Sequence, residues 1–193
     1  MGVAGEDCHY NYRPSLLGAP REFQLTGDTL AWAAGPRAGR VPLRKVQLVR
    51  LSFQPASMQP HRFVTEVWAE DAPRLVIVSS SWKSMVEQER LDQPYVAFVG
   101  ELHRRIAQAQ APVRFLRGKP ALLYWPGLVL FVVVCLMLAA LLSRALQIQS
   151  FGGAAFIAAF LALFLWQGGN FFRRNKPGLY RPDALPPDLL PKV

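Results

Sequence analysis

Short hydrophobic runs separated by turn residues dominate the first half of the chain. Turn signals such as Gly27-Asp28 and Gly35-Pro36 divide this region into runs rich in strand-forming residues. In one run, Val49, Leu51 and Phe53 alternate with polar residues, which is typical of a strand with one buried face. The pattern predicts an antiparallel meander of six short strands, at 23–26, 29–34, 40–43, 49–53, 63–69 and 74–79.

The spacing of hydrophobic residues becomes that of a helix beyond Ser84. Five apolar residues recur at spacings of three, four and seven and form one stripe: Tyr95, Phe98, Val99, Leu102 and Ile106. Asp92 and Pro94 suit the first turn of this helix, and Pro112 ends it. The pattern predicts one amphipathic helix that plugs the open end of a curved sheet.

Two long uncharged runs occupy the second half of the chain, from Pro120 to Ser143 and from Ala145 to Phe172. A bilayer core about 30 Å thick requires about 20 helical residues, so each run is long enough to cross it. The sequence predicts transmembrane helices at 121–143 and 151–172, joined by a short non-cytoplasmic loop at 144–150.

Basic residues flank the two predicted spans on one side. Arg114, Arg117 and Lys119 precede the first span and a basic step follows the second, whereas the loop has only Arg144. Cytoplasmic segments next to membrane spans collect Lys and Arg. The sequence therefore predicts an inner-membrane protein with both termini in the cytoplasm, a basic linker at 113–120, and a basic, Pro-rich tail at 173–193.

Composition agrees with a membrane protein and excludes other classes. Of 193 residues, 51% are hydrophobic, so the chain is not disordered, and its 2 cysteines cannot form a disulfide scaffold. The net charge of +9 is concentrated around the spans, where it is a topology signal. Aromatic residues are not interleaved with the basic ones in a stacking pattern, so we expect no nucleic-acid partner.

The predicted cytoplasmic domain at 21–112 resembles, over about residues 21 to 110, the pleckstrin-homology-like (PH-like) fold of small bacterial membrane proteins. The resemblance is carried by the stretch Phe23 to Leu30, the Gly35 turn, the step Val41 to Val46, and the closing helix from Asp92 to Gln110. With two spans following, the chain is similar to uncharacterised bacterial inner-membrane proteins. This resemblance implies an α+β fold: an antiparallel PH-like curved sheet or barrel with one C-terminal amphipathic helix, after an irregular arm at 1–20 and before a two-helix transmembrane hairpin.

Side chains suited to catalysis are scattered along the sequence. His9, His61 and His103 have no ligand partners at metal-site spacing apart from Cys8, which adjoins His9. No nucleotide-binding or nucleophile motif occurs, and the hydroxyl run Ser79–Ser81 is interpreted as a strand end and loop. We therefore expect no enzymatic activity, no metal and no cofactor.

Four basic residues of the domain are candidates for binding lipid headgroups. Basic residues on early loops and strands of PH-like domains can bind such groups, and the resemblance implies this role for Arg37, Arg40, Arg44 and Lys45. The alternative interpretation is a solvated face, because a domain tethered by two helices needs no lipid recognition to stay at the membrane.

Small and apolar residues in the second span and the tail are candidates for packing contacts. Ala154, Ala158 and Ala162 form a strip on which another helix can pack closely, either the first span or a helix of a second subunit. In the tail, Leu185, Leu189 and Leu190 can anchor the chain on its own domain or on a partner. The alternative is a loosely ordered, flexible cytoplasmic tail.

The favoured hypothesis is a membrane-anchored, non-enzymatic binding or assembly module. Its cytoplasmic domain and tail dock a protein partner, as in an accessory subunit of a membrane complex. One alternative is a protein that binds anionic lipid headgroups, and another is a subunit of a membrane enzyme or transporter. The expected partners are membrane lipids together with a protein partner or a second copy bound through the transmembrane helices.

Overall fold

The chain forms two compact units, and the second unit is inserted into the sequence of the first. The computed structural model describes residues 7–15, 17–54, 62–84 and 87–192. The first unit joins Met1–Gly118 to Gly178–Val193, and the second consists of Lys119–Pro177. Residues 1–6 of the predicted arm and His61 lie outside the described residues.

An antiparallel meander in the order β1-β2-β3-β4 forms the first sheet. Its strands are β1 (Cys8–Tyr12), β2 (Arg21–Thr26), β3 (Thr29–Ala34) and β4 (Arg37–Pro42). The turns on either side of β3 contain Gly27 and Gly35 at φ values of 56° and 62°, which favour a residue without a Cβ. The two turn signals in the sequence thus mark the connections of this sheet.

Strand β1 stands where the sequence predicts an irregular arm. Tyr10 and Tyr12 are buried, and they alternate with exposed His9 and Asn11. The Tyr10 hydroxyl donates a hydrogen bond of 2.6 Å to the Val78 carbonyl. The buried positions of β1 are occupied by tyrosines, whose hydroxyl groups are polar but hydrogen-bonded. The sequence of this strand therefore looks more polar than the buried environment in which it lies.

A second sheet has the order β11-β10-β5-β6-β7. A 3-10 helix (Leu43–Lys45) leads into it, and its strands are β5 (Val46–Gln54), β6 (Arg62–Ala69), β7 (Leu75–Val78), β10 (Arg114–Arg117) and β11 (Gly178–Leu179). A separate hairpin pairs β8 (Ser80–Trp82) with β9 (Gln88–Arg90).

The arrangement of the sheets differs in two respects from the sequence prediction. Strand β10 lies within the predicted linker at 113–120 and pairs parallel with β5, although only antiparallel pairing was expected. Among the described residues no sheet closes on itself, so the predicted barrel is not confirmed. The coarser prediction, antiparallel sheets combined with an amphipathic helix, is confirmed.

Helix α1 (Asp92–Gln108) packs the predicted apolar stripe into the core of the first unit. All five stripe residues are buried, and the ring of Phe98 lies 5.5 Å from that of Tyr10. Arg105, which the sequence places on a polar face, is buried as well. It donates a hydrogen bond of 3.1 Å to the Gly27 carbonyl and so ties the helix to the turn between β2 and β3.

The tail that follows the long helices completes this core. Leu189 is fully buried, and the Tyr180 hydroxyl lies 2.7 Å from Nε2 of His103 on α1. Arg117 on β10 forms an ion pair with Asp188. The tail therefore lies on its own domain, one of the three alternatives that the sequence left open.

Two long helices, α2 (Ala121–Gln147) and α3 (Phe151–Arg174), form the second unit, and both are long and apolar enough to cross a membrane. They meet through aromatic rings, with Phe131 lying 5.1 Å from Phe164 and 5.2 Å from Phe172. Gly168 is so close to the Phe131 ring that a Cβ would overlap it. Because α2 continues beyond Arg144, the connection between the helices is shorter than predicted.

Leu189 and Leu179 provide a matched test of the role of the tail in stability. Leu189 is 0% exposed and Leu179 is 73% exposed, although both belong to the tail. We predict that Leu189→Ala lowers the free energy of unfolding of the first unit by about 2–5 kcal/mol, because it leaves a cavity in the core. Leu179→Ala should change it by less than about 0.5 kcal/mol.

Urea unfolding of the full-length protein in detergent, followed by tryptophan fluorescence, measures both variants. Equal effects of the two substitutions would show that the tail is not part of the stable core.

Candidate functional site: a groove on the first sheet

Two rows of side chains cross the outward face of the first sheet. Directly opposed residues of neighbouring strands point to the same face, so the register defines each row. From β1 to β4, the first row is His9, Gln24, Ala31 and Arg40, and the second is Asn11, Glu22, Ala33 and Ala38. The residues that alternate with these positions on β2, Phe23 and Leu25, point into the core.

An open groove of about 370 Å³ follows from the sizes of these side chains. Ala31 and Ala33 on β3, with Ala38 on β4, form its floor, and the longer side chains of Gln24 and Arg40 form its walls. Strands are spaced by about 4.8 Å, so the walls on β2 and β4 stand about 10 Å apart. This width accommodates one extended polypeptide segment.

The walls of the groove carry opposite charges. Glu22 on β2 and Arg40 on β4 are both exposed, and neither forms an ion pair with another described residue. They belong to different rows, so the positive and negative groups are offset along the strand direction. A segment bound in the groove would meet an acid near one row and a base near the other, which favours one orientation of that segment.

The four residues predicted to bind lipid headgroups do not form one site. Arg37 and Arg40 are three positions apart on β4, so their side chains point to opposite faces of the sheet. Arg44 and Lys45 lie in the 3-10 helix that follows, and the Lys45 ammonium is 3.1 Å from an Asp71 carboxylate oxygen. Of the four residues, Arg40 lines the groove.

The predicted strip of small residues on α3 is divided between two environments. Ala154 is buried, whereas Ala158 and Ala162 are exposed in this unit. Positions four apart advance by about 40° more than a full turn, so a repeat of four moves steadily off the contact face. The contact with α2 instead continues through Phe164 and Gly168.

The three tail leucines that were candidates for partner contacts pack on the domain itself. Leu189 is buried in the core, and Leu185 and Leu190 are partly buried against it. A partner can reach Leu189 only if the tail leaves the domain. The tail leucines are therefore not an exposed surface for a partner.

Of the residues that form the walls of the groove, the sequence marked Arg40 as a candidate binding residue and did not mark the others. Glu22 and Gln24 alternate with buried Phe23 and Leu25, which is a readable signal for an outward face. The alanines of the floor carry no such signal in the sequence. Their small side chains form a floor only because the strand register places them side by side.

The most strongly perturbed titratable groups lie outside the groove. Hydrogen bonds from Arg104, and secondly from Arg105, lower the pKa of the Glu101 carboxyl to about 2. Burial lowers the pKa of His103 to about 4. Its Nδ1 donates to the Val99 carbonyl at 2.7 Å, so in the neutral ring Nε2 accepts from the tail tyrosine.

Metal binding has no visible basis in the described ranges: no three His, Cys, Asp or Glu side chains there are grouped to hold an ion. The groove offers hydrogen-bonding and ionic contacts along a channel of the width of one chain. No protein-family model, curated protein or solved structure matches the chain. The geometry of the groove is therefore the basis for assigning a role.

Buried His103 predicts that the first unit is sensitive to acid. The pKa is about 4 in the folded protein, whereas an unfolded histidine titrates near 6.5. The unfolded chain binds the proton more readily, so stability present above about pH 6.5 is lost as the pH falls towards 4. The full shift corresponds to about 3 kcal/mol.

Urea unfolding between pH 4.5 and 7 tests this prediction, because Glu101 contributes mainly below that range. We expect His103→Gln to remove most of the slope of unfolding free energy against pH, and Glu101→Gln to retain it. An unchanged slope in His103→Gln would assign the acid sensitivity to other groups.

Proposed function

We propose that this protein is a membrane-anchored, non-enzymatic binding module that docks an extended segment of a protein partner in the groove of the first sheet. The observation that carries the proposal is the alanine floor between polar walls about 10 Å apart. Small floor residues let a backbone approach the sheet, and the walls supply hydrogen bonds and charges. The fitting segment has a basic residue near Glu22 and an acidic residue near Arg40.

We also propose that α2 and α3 anchor the protein in a bacterial inner membrane with both termini in the cytoplasm. The pairing of β10 with β11 supports this topology, because the residues before and after the hairpin then belong to one folded unit. Both ends of the hairpin must consequently emerge on the same side. The basic residues Arg173, Arg174 and Lys176 next to the second helix favour the cytoplasmic side.

A PH-like fold for the first unit is part of the same proposal. The support for it is a meander of short strands followed by an amphipathic helix that covers the core. In this view, β10, β11 and the tail are additions to the domain, and β10 precedes the membrane hairpin in the sequence while β11 and the tail follow it.

A photo-crosslinking amino acid at position 38 tests the groove directly. Ala38 is exposed on the floor, so a probe there should form a discrete adduct with the partner in cells that express the full chain. Adding Arg40→Glu should reduce the adduct by about tenfold or more, because it replaces an attraction with a repulsion.

Arg114 provides the matched control, since it is an exposed arginine on the second sheet. A probe at position 114 should not give the adduct, and Arg114→Glu should leave the adduct from position 38 unchanged. The proposal fails if both probe positions give the same products, or if Arg40→Glu has no effect.

Cysteine accessibility tests the proposed topology. Gln149 lies in the turn between the helices and Lys192 lies near the end of the tail, and both are exposed. We predict that Gln149→Cys reacts with a membrane-impermeant maleimide in intact spheroplasts, whereas Lys192→Cys reacts only after lysis. Labelling of the unsubstituted chain gives the background, and the reverse pattern would contradict the orientation.

A further inference from the structure

The end of β1 meets the start of β6 and the junction of β7 with β8 at one corner of the first unit. The Arg13 amide donates a hydrogen bond of 3.0 Å to Oγ of Ser81, which joins β1 to β8. The Phe63 amide donates one of 3.0 Å to Oγ of Ser79, which joins β6 to the end of β7. Four side chains at or next to these junctions are termed the arginine corner: Tyr12, Arg21, Arg62 and Ser80.

Two guanidinium groups, those of Arg21 and Arg62, lie near the Tyr12 hydroxyl in the arginine corner, and neither has a carboxylate partner among the described residues. Nη1 of Arg21 lies 3.5 Å from the Tyr12 hydroxyl oxygen, and that hydroxyl donates its proton to the Val76 carbonyl. Nε of Arg62 is buried and has no hydrogen-bond partner. Neither Arg21 nor Arg62 forms an ion pair with any residue in the described part of the chain.

The electrostatic environment of Arg62 is consequently unfavourable to its charge. Burial is the main cause that lowers the pKa of Arg62; the Tyr12 hydroxyl acts to raise it and the positive charge of Arg21 acts to lower it, while no described carboxylate contributes. An arginine keeps its proton under all ordinary conditions, so the repulsion persists in the folded protein. Two partly buried cations with free donors are stabilised when an anion lies between them.

Ser80 adds a further unsatisfied donor to the corner. Its side chain is only 2% exposed, and its hydroxyl has no hydrogen-bond partner. Buried hydroxyl groups without a partner are uncommon in folded proteins, because each loses its hydrogen bonds with water. Ser80 follows Ser79, whose hydroxyl is bonded to the residue next to Arg62. Val64 pairs with Val78, and the Ser79 amide donates to the Phe63 carbonyl. The same register continued by one more residue places Ser80 opposite Arg62.

We propose that the arginine corner is a binding site for a phosphate-type oxyanion, held between Arg21 and Arg62 with Ser80 as an additional donor. Guanidinium groups present parallel N–H donors that match the oxygens of phosphate, and a tetrahedral anion has enough oxygens for two of them. The anion is inorganic phosphate or the phosphate of a small monoester or lipid headgroup. The site is distinct from the groove, whose residues lie on the outward face of the first sheet.

Thermal unfolding of the full-length protein in detergent tests the site with inorganic phosphate as the probe. At constant ionic strength, replacing chloride by phosphate should raise the Tm of the wild-type protein, because a ligand of the folded state stabilises it. Arg62→Gln should weaken the apparent affinity for phosphate at least tenfold. Arg114→Gln, which removes an exposed charge from β10, a strand that β5 separates from β6, should leave that affinity unchanged.

The variant also distinguishes an anion site from a structural arginine. In phosphate-free buffer, Arg62→Gln should be at least as stable as the wild type, since one of two repelling charges is gone. Loss of stability in Arg62→Gln without phosphate, an equal effect of phosphate on wild type and variant, or an equal effect of phosphate and chloride on the wild type would each overturn the proposal.

Nanodiscs identify the source of the anion once phosphate binding is established. The site is assigned to a lipid phosphate if nanodiscs that contain phosphatidate raise the Tm of the wild-type protein above its value in phosphatidylcholine alone, and if Arg62→Gln abolishes this increase. Stabilisation by dissolved phosphate alone assigns the site to a soluble ligand. The wild-type comparison of phosphate with chloride requires no variant, and an equal effect of the two anions overturns the proposal by itself.

Discussion

The pairing of β10 with β11 is the constraint on which the rest of the molecule depends. These strands end and begin at Arg117 and Gly178, so a complete helical hairpin lies between two adjacent strands of one sheet. The first unit cannot complete its core before the chain has passed through both helices and returned. Loop-closure entropy rises only slowly with loop length, which makes a long insertion tolerable if the returning segment is well held.

Side-chain contacts, more than backbone pairing, hold the returning segment. Strand β11 has two residues and contributes few hydrogen bonds. Tyr180 and Leu189 contribute more, because one satisfies a buried histidine and the other fills the core. The prolines of the tail limit its conformations before folding and so reduce the entropy lost when it binds. A segment that reads as a flexible tail is in this way an integral part of the domain.

The success of prediction from the sequence depends on whether the signal for an element is local. Helix α1 and the two long helices were predicted because their stripes and apolar runs lie within one segment. Strand β1 was missed because its buried residues are tyrosines, and β10 and β11 were missed because each is short and pairs with a strand that is distant in the sequence. The parallel pairing of β10 with β5 is a property of topology, and no residue of Arg114–Arg117 signals it.

The same distinction between local and long-range signals applies to the binding surfaces and to the positively charged residues. Exposed residues such as Arg37 and Arg44 attract attention in the sequence, yet water solvates them and their charge requires no partner. Arg105 is buried but faces Glu101, so its charge is balanced within the protein. Arg21 and Arg62 are partly buried and have no such acid in the part of the chain that the structure describes. Charge that is withdrawn from water without an internal counter-ion implies an external one, and this criterion separates a ligand site from a basic surface.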